Sequence, residues 1–527
     1  GKPLDPSVST AERRSWMIRL MSANKLPSDT LEDQRVKYAE IRCVCSEFLE
    51  EAIANAQIIV NEYYLPRYDK TIYVSKEETV DGRPFVCGRG NDGKTLVYEY
   101  HNIIFRVVLD DDGVFNGSDE YAAKAAGNER LGSLEYFKCH IRSVNIPLVA
   151  TVDYHGFRVL AVSKLPTEKF NFNDEGELRK VHEELVHGVT HKGDHYVNQG
   201  KIVATALKSA GELLNLAPHY VKGGKDIQEQ EAHSSSEIKA YMGYQDELFL
   251  KDFWRAFPSE SPGETPHLPT AARQQSVFWR QLRPEFVKNY FENPLSPDVH
   301  CLLVLDGSDR DEHIEKVNIA TAELVKDITY DLAETLSNRN YSLPLSQGLG
   351  LDLTLELHCR GVNMRHLGLL RYLIWRPLSC KASVFHHENS IRTSKDLRGE
   401  VMHGDLIQVN GIRYTVEETS HRKITSRKVP TKEPLMVLSE HGIDVYIGRL
   451  KSERNCNALR SVLLGEMVAR TVKQLIRLQL RQYTKRNLMT SATYTNDLVI
   501  DFFNVITGSA KNSDYVLQEV LYTSIRD

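Results

Sequence analysis

Apolar positions along the chain follow two different periods. Between 31 and 62, Phe48, Leu49, Ile53, Ala56 and Ile59 recur at spacings that put them on one helical face. From 70 to 110 the pattern shortens: TIYVSKEET, RPFVC and KTLVYEYHNIIFRVVL read as strands around turn signals. Helix returns over 115–137, where Ser118 is placed to cap an Ala-rich run. Residues 147–165 predict two buried strands around a turn at Tyr154–Gly156. A helix at 201–216, a short strand at 247–253 and a long helix at 312–337 follow, with loop over 338–352. The Pro-, Ser-, Thr- and Glu-rich stretch 257–272 is the best linker candidate. Strand chemistry dominates 383–446, where Asn410–Gly411 between β-prone runs is a hairpin signal. From 452 to 521 the pattern is helical again, and no repeat of 20–50 residues occurs. The fold class is mixed α+β in several domains.

Composition narrows the class. The 527 residues carry 66 Lys+Arg against 71 Asp+Glu, a formal net charge of −5, and 41% are hydrophobic. That excludes wholesale disorder, and no apolar run reaches the roughly 18 residues of a membrane span. The acidic balance argues against a dedicated basic nucleic-acid wrapper but leaves local patches open. Eight cysteines form no disulfide framework, and only Cys43 and Cys45 are close, which points to a reducing compartment. The chain opens on Gly1 rather than Met, which leaves room for an upstream segment or a cleaved targeting peptide.

Several segments together resemble the Clu (clustered mitochondria) family. They are YHNIIFRVVLD at 100–110, FNGSDEYAAKAAGNERLG at 115–132, IPLVATVDYHGFRVLAVSKLP at 146–166 and LFLKDFWRAFPSESP at 248–262. FWRQLRPEFVKNY at 278–290, NPLSPD at 293–298, RGVNMRHLGLL at 360–370, EMVARTVKQLIR at 466–477 and DFFNVITGSAKNSD at 501–514 continue the family's order. The resemblance implies a cytoplasmic protein that governs mitochondrial distribution, in a family associated with messenger RNAs for mitochondrial proteins. It marks Asp153, Asp252, Arg283, Asn363, Arg365 and His366 as family-motif positions. Family members usually continue into a tetratricopeptide-type array that this sequence does not contain. The expected organisation is an N-terminal helical extension (1–40), a Clu domain (41–300), a helical central region (301–382), an inserted β module (383–446) and a helical C-terminal region (447–527).

Around 466–486, Arg470, Lys473, Arg477, Arg481 and Lys485 fall on a helical stripe about 120° wide, opposite Val468, Val472, Leu475 and Ile476. No acid lies between Glu466 and Asp497. The stripe reads as a phosphate-tracking surface for RNA or ribonucleoprotein, or as a charged face that pairs with acids elsewhere in the fold. His421, Arg422, Lys423, Arg427, Lys428 and Lys432 form a second basic cluster. Few aromatics interleave with either, so base stacking is not indicated.

Other constellations are weaker. GRGNDG at 88–93 lies between strands rather than between a strand and a helix, which argues against a dinucleotide fingerprint. Gly88, Gly90 and Gly93 with Asp252–Phe253 faintly match a kinase, but no positioned lysine or catalytic-base segment accompanies them. His182, His187, His191 and His195 read as a polar loop, because Gly188 and Gly193 interrupt any helix that would align them on a metal. Asn363 reads as a helix cap and Arg365 as a first-turn cation in need of a carboxylate or phosphate partner. Arg283 and Glu285 read as an ion pair around Pro284. No nucleophile has a recognised context. The sequence therefore predicts a non-enzymatic protein with no cofactor and no metal. A structural subunit of a large cytoskeletal or organellar assembly is the alternative, and a kinase-like phosphotransferase the weaker one.

Overall fold

A computed structural model describes residues 15–74, 96–111, 113–115, 117–167, 169–172, 178–181, 184–190, 195–224, 227–268, 276–289, 293–299, 307–339, 351–374, 376–385, 390–393, 396, 398, 403, 405–409, 412–421, 423–428, 441–449, 453–486 and 492–508. The chain is a multi-domain α+β protein that divides into two compact units, residues 1–322 with 471–527, and residues 323–470.

The first unit starts with helices α1 (Trp16–Asn24) and α2 (Leu31–Asn61). Thr30 and Asp33 close a reciprocal capping box at the start of α2, which fixes where the long helix begins. Strands β1 (Val97–Tyr100) and β2 (Ile103–Val108), helix α3 (Asp119–Lys138), and strands β3 (Val149–Tyr154) and β4 (Phe157–Ser163) follow. The four strands form an antiparallel sheet ordered β1-β2-β4-β3. Side chains alternate across it, as period two requires. Ile103, Phe105, Val107, Val159 and Ala161 pack with Val44, Phe48, Ala52 and Ala56 of α2. Val108 and Leu160 join Ala122, Ala123, Ala125 and Ala126 of α3 in a separate core. The sheet is thus covered by helix on both faces, and the alanines let α3 approach closely.

Strands β5 (Lys169–Phe172) and β6 (Leu178–Val181) pair with each other. Strands β7 (Glu184–Val189) and β8 (Tyr196–Asn198), helix α4 (Lys201–Leu214), the pair β9 (His219–Gly224) and β10 (Ile227–Ala232), and strands β11 (Lys239–Met242) and β12 (Leu248–Lys251) follow. A second sheet runs β12-β11-β7-β8. Two expectations fail here. His187 is not in a polar loop: it is buried in β7, held between Asn198 and Tyr196, and burial lowers its pKa to about 4. His182 and His191 lie outside the described residues. The linker candidate is not a linker over 257–268: Phe257, Ser259, Glu260, Ser261, Thr265 and Leu268 are buried. Glu260 donates its N–H to Arg280 O, and Ser261 donates its hydroxyl to Asn318 Oδ1. Proline and serine marked irregular backbone correctly, but irregular backbone satisfied by hydrogen bonds packs inside.

Helices α5 (Pro284–Asn289) and α6 (Arg310–Glu323) follow. The second unit begins with a π-turn at Leu324–Ile328 and continues through α7 (Thr329–Asn338), α8 (Leu353–Cys359) and α9 (Leu367–Ile374). Arg360 pairs with Asp331 at 2.9 Å, joining α7 to the end of α8. Six strands then close a barrel: β13 (Arg376–Phe385), β14 (Ser390–Thr393), β15 (Asp405–Val409), β16 (Ile412–Ser420), β17 (Lys423–Lys428) and β18 (His441–Arg449), in the order β13-β14-β17-β16-β15-β18. β13 and β18 pair in antiparallel register, Arg376 opposite Ile447 and Ala382 opposite His441. Closure leaves no strand edge open. Helix α10 (Glu453–Arg486) and helix α11 (Ala492–Ile506) complete the described chain. Among the described residues no helix is long and apolar enough to cross a membrane.

Candidate functional site

The basic stripe lies on α10, and its five cations have different surroundings. Arg477 is buried: one guanidinium nitrogen lies 3.1 Å from Glu120 Oε2 and another 2.9 Å from Asp153 Oδ1. Arg481 donates to Gly156 O at 2.7 Å and lies 3.3 Å from Asp119 Oδ2. Their side chains are each only 11% exposed. Arg470 is exposed and pairs with Glu466 one turn earlier at 2.7 Å. Lys473 and Lys485 are exposed. The sequence left open whether the stripe tracks phosphate or pairs with acids. For Arg477 and Arg481 the geometry is the second, with carboxylates more than 300 residues away.

Local chemistry builds the acidic seat that receives them. The Asp110 carboxylate accepts backbone N–H groups from Phe115, Gly117 and Ser118 at 2.7–3.1 Å. Ser118 then caps α3 by accepting from Tyr121 N. This fixes Asp119 and Glu120 in the first turn, where the helix dipole favours negative charge. Asp153, at the end of β3, is gripped by Arg158 through two bonds of 2.7 and 2.8 Å. Burial raises the pKa of Asp153, but Arg158, then Arg477 and Lys473, outweigh it and hold the carboxyl below its ordinary value.

Gly156 completes the seat. Its φ of +82° is the turn between β3 and β4, and a Cβ there would lie 2.2 Å from the carbonyl oxygen of Arg477. Gly156→Ala therefore meets both backbone strain and a backbone clash, and is expected to cost about 2–4 kcal/mol. A lower urea midpoint and faster protease cleavage within α10 are the readouts. Unchanged values would show that the helix does not need this seat.

The remaining candidates are engaged in structural pairs where they are described. Asp252 follows β12 with φ +69° and accepts from Lys239 Nζ at 2.9 Å. Arg283 holds Glu285 with bonds of 3.1 and 2.9 Å. Asn363 precedes a short 3-10 turn at Met364–His366 but makes no side-chain capping bond, so its expected capping role is corrected. Asn363, Arg365 and His366 each interact with a neighbour, and His366 is fully buried. In the second basic cluster, Lys423 starts β17, and exposed His421 lies 3.0 Å from Asp396. Arg427 and Lys428 lie on β17, but their side chains, like Arg422, Lys432 and the Gly88, Gly90 and Gly93 loop, lie outside the described residues.

Sequence reasoning missed a buried polar site. Glu129 of α3 is buried, and burial followed by the nearby Asp252 charge raises its pKa to about 8. Its Oε2 has no hydrogen-bond partner among the described residues. His219 is also buried, 2.9 Å from Asp298, which accepts Ser235 Oγ and Ser236 N as well. Their partners are distant in sequence, so no local motif marks them. Among the described residues no group of His, Cys, Asp or Glu is arranged to hold a metal ion.

These features define a multi-domain α+β protein whose polar groups build internal contacts between distant segments. Comparison with known proteins places it further. The family model described as clustered mitochondria matches residues 15–261, and the model described as translation initiation factor eIF3 subunit 135 matches residues 349–523. Over residues 15–261, just under half of its length, the chain is similar to the Clu family. It is 23% identical over 478 residues to a clustered mitochondria protein homolog of Vanderwaltozyma polyspora, covering 83% of this chain and 35% of that protein. A homolog of the same name from Caenorhabditis briggsae is 22% identical, covering 88% of this chain and 35% of the relative. The Drosophila virilis protein clueless is 24% identical over 252 residues, 47% of this chain and 15% of that protein. The chain thus spans about a third or less of the length of these curated relatives. No solved structure matches.

Proposed function

We propose that the chain is a non-catalytic organiser of mitochondrial distribution, acting in the cytoplasm in contact with messenger RNA or ribonucleoprotein. The observation that carries this reading is the succession of two family matches, clustered mitochondria over 15–261 and an initiation-factor subunit over 349–523. In this reading the barrel is an insertion within the central region.

Phosphate contact falls to the exposed cations Arg470, Lys473 and Lys485, with Lys423 and its neighbours on β17 as a second patch. Arg477 and Arg481 are excluded as primary contacts, because Asp119, Glu120 and Asp153 already neutralise them. Crosslinking of the native protein to RNA in cells, with sequencing of what is recovered, is expected to enrich transcripts for mitochondrial proteins. In vitro, Lys473→Ala and Lys485→Ala should each lower the slope of log affinity against log salt by about one. Arg477→Ala should instead lower stability. Unchanged slopes in both lysine variants would remove the stripe from the RNA surface.

A second reading is a structural subunit of a larger assembly. It is favoured by large apolar side chains that α2 leaves exposed, Leu31 and Tyr38 among them. Absence of crosslinked RNA, with the protein remaining in an RNase-resistant particle, would favour it over the first.

A further inference from the structure

Helix α2 has two apolar faces, and among the described residues only one of them is buried. Val44, Phe48, Ala52, Ala56 and Ile59 face the sheet and are buried. A second set, Leu31, Tyr38, Leu49 and Ile53, is 66%, 54%, 45% and 38% exposed. At about 100° per residue these four fall within an arc of about 60°, roughly a right angle from the buried face. From Leu31 to Ile53 they follow a straight line of about 33 Å. Isolated exposed apolar residues are ordinary, but a stripe of four large ones along one helix marks a contact surface.

The charges on this arc select the partner. Arg35 and Arg42 lie inside it, and no Asp or Glu does. Among the described residues Arg35 pairs only with Glu32 of its own helix, at 3.7 Å with both side chains more than 70% exposed. Arg42 is exposed and makes no ion pair among the described residues. The acids of α2 are elsewhere: Glu47 is held by Arg19, and Glu51 by His101 and Asn55. Beside Tyr38 opens a cavity of about 550 Å³, lined by Leu20, Met21, Ile41 and Phe137, with Lys37 and Arg142 alongside Asp29, and Lys25 paired with Glu247, among its polar groups. It offers a receptacle for an apolar anchor next to further positive charge.

We propose that this face of α2 docks an acidic amphipathic helix from another protein. A helix fits because the exposed set is straight and long, and helical periodicity on a partner matches it as an apolar face laid along an apolar face. Carboxylates on that partner would meet Arg35, Arg42, Lys37 and Arg142. A second copy of the chain fits poorly. The midpoint between Leu31 and Ile53 is Arg42, so a symmetric antiparallel pair would place Arg42 against Arg42 across the twofold axis. This surface is independent of the RNA reading.

The test uses the full chain and three fluorescent peptides of about four heptads, each with leucine at a and d and with glutamate, lysine or glutamine at e and g. Anisotropy is expected to show the glutamate peptide binding at least about tenfold more tightly than the lysine peptide. The exposed double variant R35E/R42E, checked for an unchanged melting temperature, should invert that order. Failure of the glutamate peptide to bind, equal affinity for all three peptides, or an order unchanged in R35E/R42E would overturn the proposal. So would sedimentation showing a dimer of the chain that Tyr38→Asp dissociates, since the stripe would then be a self-contact.

Discussion

Lys239→Met is expected to destabilise the unit containing it by about 3 kcal/mol, read as a fall in the urea midpoint. Lys239 is buried in β11, and its ammonium meets Asp252 at 2.9 Å, with the two side chains 9% and 18% exposed. Methionine keeps the apolar stem but leaves the carboxylate facing a largely dry interior. Arg106 and Lys251 also favour the charged form of Asp252, which keeps the expected loss at the lower end of the range for broken buried pairs. The double variant K239M/D252N should recover much of the loss, because it removes the stranded charge along with its partner. Equal losses in the single and double variants would show that packing, not charge, sets the cost. Burial opposes ionisation of Asp252, yet its cations hold the pKa at about 2. The pair therefore contributes stability above about pH 4, lost as pH falls towards 2.

Glu129 behaves in the opposite sense. Burial and then the Asp252 charge raise its folded pKa to about 8, against an ordinary value of 4.5. Between those values the unfolded chain releases a proton that the folded chain retains. Stability from this group is complete below about pH 4.5, declines as pH rises, and is lost once pH passes about 8. Glu129→Gln keeps the shape and removes the titration. At pH 8 the variant is expected to be more stable than the wild type by about 4 kcal/mol, with the difference vanishing near pH 4. Paired melts across that range check it, and parallel curves would show that Glu129 is ionised in the fold.

Local signals carried the main elements of the fold. The spacing over 31–62 marks α2, the turn at Tyr154–Gly156 joins β3 and β4, and the runs around Asn410–Gly411 pair with Val409 opposite Ile412. Each is decided within a few residues, by periodicity or turn chemistry. The small strands β7 to β11 were less legible, because their partners lie across the chain and their side chains are mixed polar and apolar. The stripe on α10 was visible as a stripe, but not its seat. Acids in a helix's first turn, as at Asp119 and Glu120, are too common to announce a partner 357 residues away. Glu129 was hidden for a related reason: within an Ala-rich helix a glutamate reads as a surface residue until tertiary packing encloses it.

The barrel's closing pair has a consequence for how the chain is wired. Because β13 lies beside β18, with Arg376 opposite Ile447, the chain enters and leaves the barrel at neighbouring points. Strand partners in such a ladder are about 5 Å apart, a gap that one or two residues bridge. The barrel is therefore a segment of chain whose two ends lie side by side. It can be excised between 376 and 447 and replaced by a tight turn, or exchanged for another domain with adjacent ends, while α9 and α10 keep their own path. Whatever the barrel contributes can be removed from the protein, or transplanted to another, as one piece.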